Sequence, residues 1–498
     1  MTPSCTTFMK TVAGLIVLAF CGSSPALSAT TWTVSSTGDN AADPTTLRGA
    51  IASASSGDSI QITATGTITL TGGMLTIDKN LTISGPGASN LAISGNYSTV
   101  VFNVVSGTTA ISGMTIENGA SQLGGAIRNA GTLMLHNTSL SQNGGSIGGA
   151  IYNGGTLTVV NGTVSGNGSV IGGGIINFGT LTLTNSTVSG NSSNNGGGGI
   201  ANSGTLTVTN STISGNSAYN SGNGGGVYNS GTLTLTNSTV SGNSAPVSGG
   251  GIFNAGTLTA KNSIVANSPL GGNCYIDPLS TTTSRGHNLS DDGTCGFGGI
   301  GDLNSTPADL DPSGPQNNGG PTNTIALLAG SPAINAVLTT PINYCTAADG
   351  TTAIANDQRG FLRPAGTACD IGAFEFGAIP PTQYAAYVQQ PINPDGSSLF
   401  SVKRGVVPLK FTLSLGGVTT CQLPPATISL ARSAGSVLGS IDENTYLLAS
   451  DSGPNFRIDA ANCQYIYNVA TASLGPGTYV ASISVGGSVV GSGTFGLH

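Results

Sequence analysis

The chain has 498 residues, of which charged residues make up 7% with a formal net charge of −7, against ~25% charged in ordinary globular proteins. So little positive charge excludes nucleic acid and anionic membranes as partners, since both demand basic patches. Low charge with 78 glycines also suits a disordered tract, but such a tract does not keep its Leu, Ile and Val in register, and here they recur in columns.

The first 29 residues read as an export signal. Lys10 closes a weakly basic start, Thr11 to Cys21 is apolar, and Ala26-Leu27-Ser28-Ala29 ends in the small-x-small pattern of a cleavage site. Cleavage is expected after Ala29. Phe20 precedes Cys21, where a lipid-attachment motif wants a small residue, which argues against a lipid anchor. Elsewhere no run approaches the ~20 apolar residues of a membrane span. Residues 30–62 then read as a cap: a strand at TWTVSS, a polar loop and a short helix from about Thr46 to Ser55.

Residues 63–272 are expected to form a solenoid. Less regular coils, such as GTITLTGG, lead into units beginning at Thr132, Thr156, Thr180, Thr205 and Thr232, with a partial unit at Thr257. The units run 24, 24, 25, 27 and 25 residues, a period typical of stacked repeats. Apolar and polar residues alternate in Thr180-Leu181-Thr182-Leu183-Thr184, as in a strand with one buried face. Further short strands fall around Val188 and Ile200, and no segment has helical spacing. Three strands per coil predict a parallel β-helix. Its inward columns are Leu133, Leu157, Leu181, Leu206, Leu233, Leu258; then Leu135, Val159, Leu183, Val208, Leu235; then Ile127, Ile151, Ile175, Ile200, Val227, Ile252.

Asparagine makes three further columns. The most regular is Asn129, Asn153, Asn177, Asn202, Asn229 and Asn254, two residues after each inward Ile or Val. A buried amide persists where it is satisfied, so this column reads as a structural ladder, and asparagine also suits left-handed corners. The glycine runs before each third strand read as tight corners.

Beyond the repeats, residues 273–377 are expected to be the C-terminal part of the β-helix. Residues 378–383, with Pro380-Pro381, are a linker. Residues 384–498 carry short strands at roughly 8–12-residue spacing, the pattern of an immunoglobulin-like β-sandwich. Cys274, Cys295, Cys345, Cys369, Cys421 and Cys463 all lie past the repeats, and their even number suits disulfides. Proximity suggests 274 with 295, 345 with 369 and 421 with 463, although spacing alone leaves connectivity open.

Several phrases resemble known families. Thr45-Thr46-Leu47-Arg48-Gly49-Ala50-Ile51 is similar to the CSLREAI-type segment that opens many exported β-helix proteins, with its Cys, Ser and Glu replaced. The GG-[AG]-[IV]-x-N phrases from Gly124 to Asn254 resemble the repeats of polymorphic outer-membrane adhesins, without their translocator barrel. Gly286-His287-Asn288-Leu289, Asn318-Gly319-Gly320-Pro321-Thr322, Gly330-Ser331-Pro332-Ala333-Ile334, Asp357-Gln358-Arg359-Gly360 and Cys369-Asp370-Ile371-Gly372-Ala373-Phe374-Glu375 resemble the choice-of-anchor Q domain. Val407-Pro408-Leu409-Lys410-Phe411 resembles the signature of PxKF domains. Together they imply an all-β chain, a right-handed parallel β-helix followed by a small sandwich, secreted or on a bacterial cell surface and adhesin-like or envelope-structural in role.

The rival class is a polysaccharide lyase or glycoside hydrolase built on the same fold. Its chemistry needs clustered carboxylates, usually with Arg or Lys nearby. From Thr132 to Gly256 there is no Asp, Glu, Lys or Arg; Arg128, His136 and Lys261 stand alone, and Asp78 and Glu117 are isolated. No catalytic residue, metal or cofactor is therefore assigned. His136 points outward and reads as a solvated imidazole. Asp291, Asp292, Asp302, Asp309 and Asp311 gather on loops, where calcium and plain solvation compete, without a calcium-loop motif. Arg359 and Asp370 are expected to form an ion pair. Tyr152, Tyr228 and Phe253 project outward in one column with Arg128, Ile176 and Ala201, a candidate strip for surface glycans or for proteins of a host or neighbouring cell.

Overall fold

The computed structural model describes residues 29–380 and, within 384–498, all but 394–396, 402–404, 416–417, 422–423, 435–449, 460–461, 472–473 and 487. The expected export signal lies outside the described residues except for Ala29, as do 381–383 of the expected linker.

A parallel β-solenoid of about ten turns opens with Thr31–Val34, which pairs in parallel with Ser59–Ile62. Between them runs the helix Leu47–Ser53, whose N-cap Thr46 accepts a hydrogen bond from Gly49 N, satisfying one free donor of its first turn. Leu47, Ala50 and Ile51 are buried in the same core as the first coils, so the helix closes the end of the stack. A Cβ on Gly49 would sit 1.9 Å from the carbonyl oxygen of Asp43, which explains why glycine replaces the motif's glutamate. The ion pair of Arg48 with Asp39, at 2.6 Å, ties the helix to the loop before it.

Each later coil repeats three strands, for example Thr180–Thr184, Thr187–Ser189 and Ile200–Asn202. First and second strands share a 20-stranded sheet and third strands form a nine-stranded one. A further short strand precedes the third in five coils, as at Gly144–Ile147 and Ser192–Ser193. Alternation could not reveal it, because Gly and Ser supply no apolar period. All ladders of the solenoid run parallel and in register: Leu157 opposes Leu181, which opposes Leu206, and Ile151 opposes Ile175, which opposes Ile200. Each buried Leu or Ile contributes about 1.5–3 kcal/mol, and only stacked neighbours supply the burial.

The three asparagine columns divide their work. Asn129, Asn153, Asn177, Asn202, Asn229 and Asn254 form a buried chain of amide bonds, each Nδ2 donating to the next Oδ1 at 2.7–2.8 Å. Asn143, Asn167, Asn191, Asn216 and Asn243 form a second at 2.9–3.0 Å. The third column, from Asn137 to Asn262, occupies left-handed corners with φ of 45–53°.

Residues 273–377 do two things. Cys274–Ile276, Thr281–Ser284 and Leu289–Ser290 add one more coil, and Leu303–Asn304 pairs onto it. Cys274 continues the isoleucine column and is bonded to Cys295 inside the core. Past Asn304 the chain makes no further coil; it folds back along the solenoid as a strap whose isolated bridges are internal, held there by polar contacts and by an apolar cluster that joins Leu310, Val337 and Ile371 to Ile264, Ala266 and Leu289. Pro307, Pro312, Pro315, Pro321 and Pro332 remove the backbone donors that a central ladder needs.

From Tyr384 onward two small, largely antiparallel sheets share one core. One contains Tyr384–Gln389, Val406–Leu415, Gln464–Ala470 and Arg457–Asp459; the other Leu399–Phe400, Ser488–Leu497, Gly477–Val485 and Ala426–Ala434. Gly477–Val485 alternates buried and half-buried along its whole length. Phe411, Tyr465, Ile483 and Phe495 meet in the shared core.

Candidate functional site

The third strands align the expected column in register, but Ile176 and Ala201 within it are covered and buried. Arg128, Tyr152, Ile176, Ala201, Tyr228 and Phe253 oppose one another in sequence order, and Tyr275 extends the row. Tyr228 and Phe253 stack face to face with centroids 5.0 Å apart, and Phe253 and Tyr275 at 4.8 Å. Both faces of Phe253 are thus covered by neighbouring rings, and the stack offers ring edges and hydroxyls to solvent. Tyr152 leans on Phe178 at 5.5 Å. Tyr275 is 39% exposed, and the loops entering the third strands expose Tyr219, Val247 and Leu270. Tyr275 was missed because it lies past the last complete repeat phrase, and Phe178 because it occupies a variable position that is Ala130, Gly154, Ser203, Ser230 and Ala255 in the other units.

The strap covers the outward face of the second strands. Thr187, Thr212 and Thr239 point outward by parity, yet all are buried. Thr187 Oγ1 donates to Asn323 O at 2.6 Å, Thr212 Oγ1 donates to Gln358 Oε1 at 2.6 Å, and Ala373 N donates to Thr239 Oγ1 at 3.0 Å. Lys261 is buried as well, its Nζ donating to Thr346 Oγ1 and to Ala347 O, and burial lowers its pKa.

A buried group of charges lies within the strap. Arg359 pairs with Asp357 at 2.7 Å and Arg363 with Glu375 at 3.2 Å. The expected pair of Arg359 with Asp370 does not form. Arg359 is held in the tight Asp-Gln-Arg-Gly turn between the rings of Phe361 and Phe374, 4.2 and 3.7 Å from their centroids, while Asp370 accepts backbone hydrogen bonds from Asn335 at 2.7 Å and Phe376 at 2.5 Å. Burial pushes the Glu375 carboxyl up to about 7 despite the adjacent Arg363, and burial also raises Asp370. These groups are buried and bonded inward, so they brace the strap and offer no open face to a substrate.

The other candidates are scattered. His136 is exposed in a groove of about 670 Å³ that ends at Pro321. Asp302 is spent on turns, accepting from Asn288 N, Ser284 Oγ and Gly299 N at 2.5–2.7 Å, and Asp292 accepts from Asn273 N at 2.9 Å and Thr294 N at 3.0 Å. Asp291, Asp309 and Asp311 share a separate groove. His287 is buried against Tyr344 with its Nδ1 unpartnered, and burial lowers its pKa. Disulfides join Cys274 to Cys295, Cys345 to Cys369 and Cys421 to Cys463. No helix among the described residues is long and apolar enough to cross a membrane. No family model matches the chain, and no curated protein or solved structure matches it either.

Proposed function

We propose that the chain works outside the cell as a noncatalytic bacterial surface or extracellular protein, a β-solenoid shaft with a C-terminal all-β module, adhesin-like or envelope-structural in role. The observation that carries this reading is the shaft's side: between Thr132 and Gly256 every residue lacks a formal charge apart from the titratable His136, and the outward positions include columns of threonine hydroxyls and aromatic side chains. Such a surface suits contact with neutral glycans or proteins, because aromatic edges and hydroxyls combine apolar area with hydrogen bonding. The three disulfides suit an oxidising compartment. The resemblances to exported β-helix proteins, to polymorphic outer-membrane adhesins, and to choice-of-anchor Q and PxKF domains support the same reading.

A glycan and cell-binding array with the purified chain tests it. The chain is expected to be retained on a defined subset of surfaces, and Tyr228→Ala combined with Tyr275→Ala should weaken that retention with the β signature in circular dichroism preserved. Retention unchanged by the double variant would remove the aromatic column from the contact face. The competing reading, a polysaccharide lyase or hydrolase, draws on the same fold and predicts turnover instead of retention.

A further inference from the structure

A groove of about 700 Å³ runs between the second-strand edge of the solenoid and the start of the strap. Ser214, Ser241 and Asp291 line one side, Asp309 and Asp311 the other, and no basic side chain lines it. Its floor is apolar, formed in part by Leu310 and Ile325, both buried. The carboxylate of Asp309 makes no hydrogen bond within the described residues, and Asp311 spends one oxygen on Ser313 N at 2.9 Å. Asp291 is turned to structure, accepting from Asn267 N at 2.9 Å and from Asn273 Nδ2.

A second observation points to a ligand. Ser214 and Ser241 are each 4% exposed; they follow the inward Ile213 and Val240, so their side chains face out into the groove. Neither hydroxyl has a partner among the described residues. Neither oxygen is among the fully buried unpartnered atoms, so each is reached from the groove and is open to hydrogen bonding with a ligand's hydroxyl groups. The carboxylates are spread along the groove: among the described residues no three His, Cys, Asp or Glu side chains come together closely enough to hold a metal ion. An inorganic cation needs its oxygens at about 2.0–2.6 Å, so calcium does not fit this spacing, whereas a longer ligand with several positive groups does.

We propose that this groove binds an amino-sugar oligosaccharide with free amines. Its ammonium groups face Asp309 and Asp311, its hydroxyls pair with Ser214 and Ser241, and the C–H faces of its rings lie on Leu310 and Ile325. Hydroxyls beside an apolar floor favour a sugar over a lysine-rich peptide, which brings charge without a matching set of hydroxyls. The groove is separate from the aromatic column, and the proposal stands whether or not that column makes contacts.

Isothermal titration calorimetry at low ionic strength tests it on the full chain, with a glucosamine hexamer, an N-acetylglucosamine hexamer and a lysine hexapeptide as probes. The glucosamine hexamer should bind, and added salt should weaken it because the carboxylates are partly exposed. The acetylated hexamer, lacking charge, and the lysine peptide, lacking hydroxyls, should each bind at least roughly tenfold more weakly. Asp309→Asn with Asp311→Asn, both at the rim, should cost the glucosamine hexamer about tenfold. Ser214→Ala with Ser241→Ala should weaken it while leaving its salt dependence intact. The proposal is overturned by no binding of the glucosamine hexamer, by affinity unchanged in the carboxamide variant, or by equal binding of the lysine peptide.

Discussion

Asn177 spends its amide in four directions: Nδ2 donates to Asn202 Oδ1 at 2.7 Å, to Thr205 O at 3.1 Å and to Gly179 O at 3.1 Å, and Oδ1 accepts from Asn153. Asn177→Ala strands the oxygen of Asn202 in a dry interior and removes a donor from Thr205 O and Gly179 O, while the amide of Asn153 keeps Gly155 O and Thr180 O. A stranded group costs about 1–3 kcal/mol, so denaturant unfolding should show a loss of roughly that size or more, with fold retained. Glu375 contributes one part of the pH dependence. Burial holds its carboxyl at about 7 against an ordinary 4.5, so between those values the folded chain keeps a proton that the unfolded chain has released. Its contribution to stability is present below the lower value and is lost as pH rises through the upper one. Denaturant midpoints at about pH 5 and about pH 7.5 should therefore fall more steeply with pH in the wild type than in Glu375→Gln; equal slopes would contradict the raised pKa.

At the scale of elements, one coil is one removable layer only where nothing else leans on it. Deleting residues 132–155 joins Gly131 to Thr156, equivalent corners of adjacent coils, and touches no strap hydrogen bond among the described residues. Deleting 180–204 removes Asn185 and Thr187, which hold Thr322 and Asn323. Both variants should keep β-rich circular dichroism, but the second should unfold at lower denaturant and expose the strap to protease; identical midpoints would count against the strap as a brace. The columns of Leu157, Leu181 and Leu206 were legible because each repeats its position once per coil, and a period needs no knowledge of distant partners. The strap was illegible for the complementary reason. Gln358 donates to Thr187 Oγ1 at 2.8 Å across 171 residues, and no period links the two. Parity correctly turned Thr187, Thr212 and Thr239 outward; what buried them lay beyond any local pattern. Parity likewise found the aromatic column but not that Tyr228, Phe253 and Tyr275 use their faces on one another.

Across the whole molecule, ionisable side chains are sparse on the regular coils, and the strap buries five of its own, Asp357, Arg359, Arg363, Asp370 and Glu375. Acid-base catalysis on a polymer needs carboxylates open to substrate and within hydrogen-bond reach of it. The measurement that tests the noncatalytic reading most directly is product analysis by mass spectrometry after prolonged incubation of the purified chain with pectins, alginates and amino-sugar polymers, with and without calcium. The account predicts polymers of unchanged length, with no new reducing or unsaturated ends. Reproducible cleavage that disappears on replacing Asp78, Glu117 or the carboxylates of Asp309 and Asp311 would contradict it, and would make the solenoid an enzyme whose acid and base come from its irregular coils or from the rim of the strap.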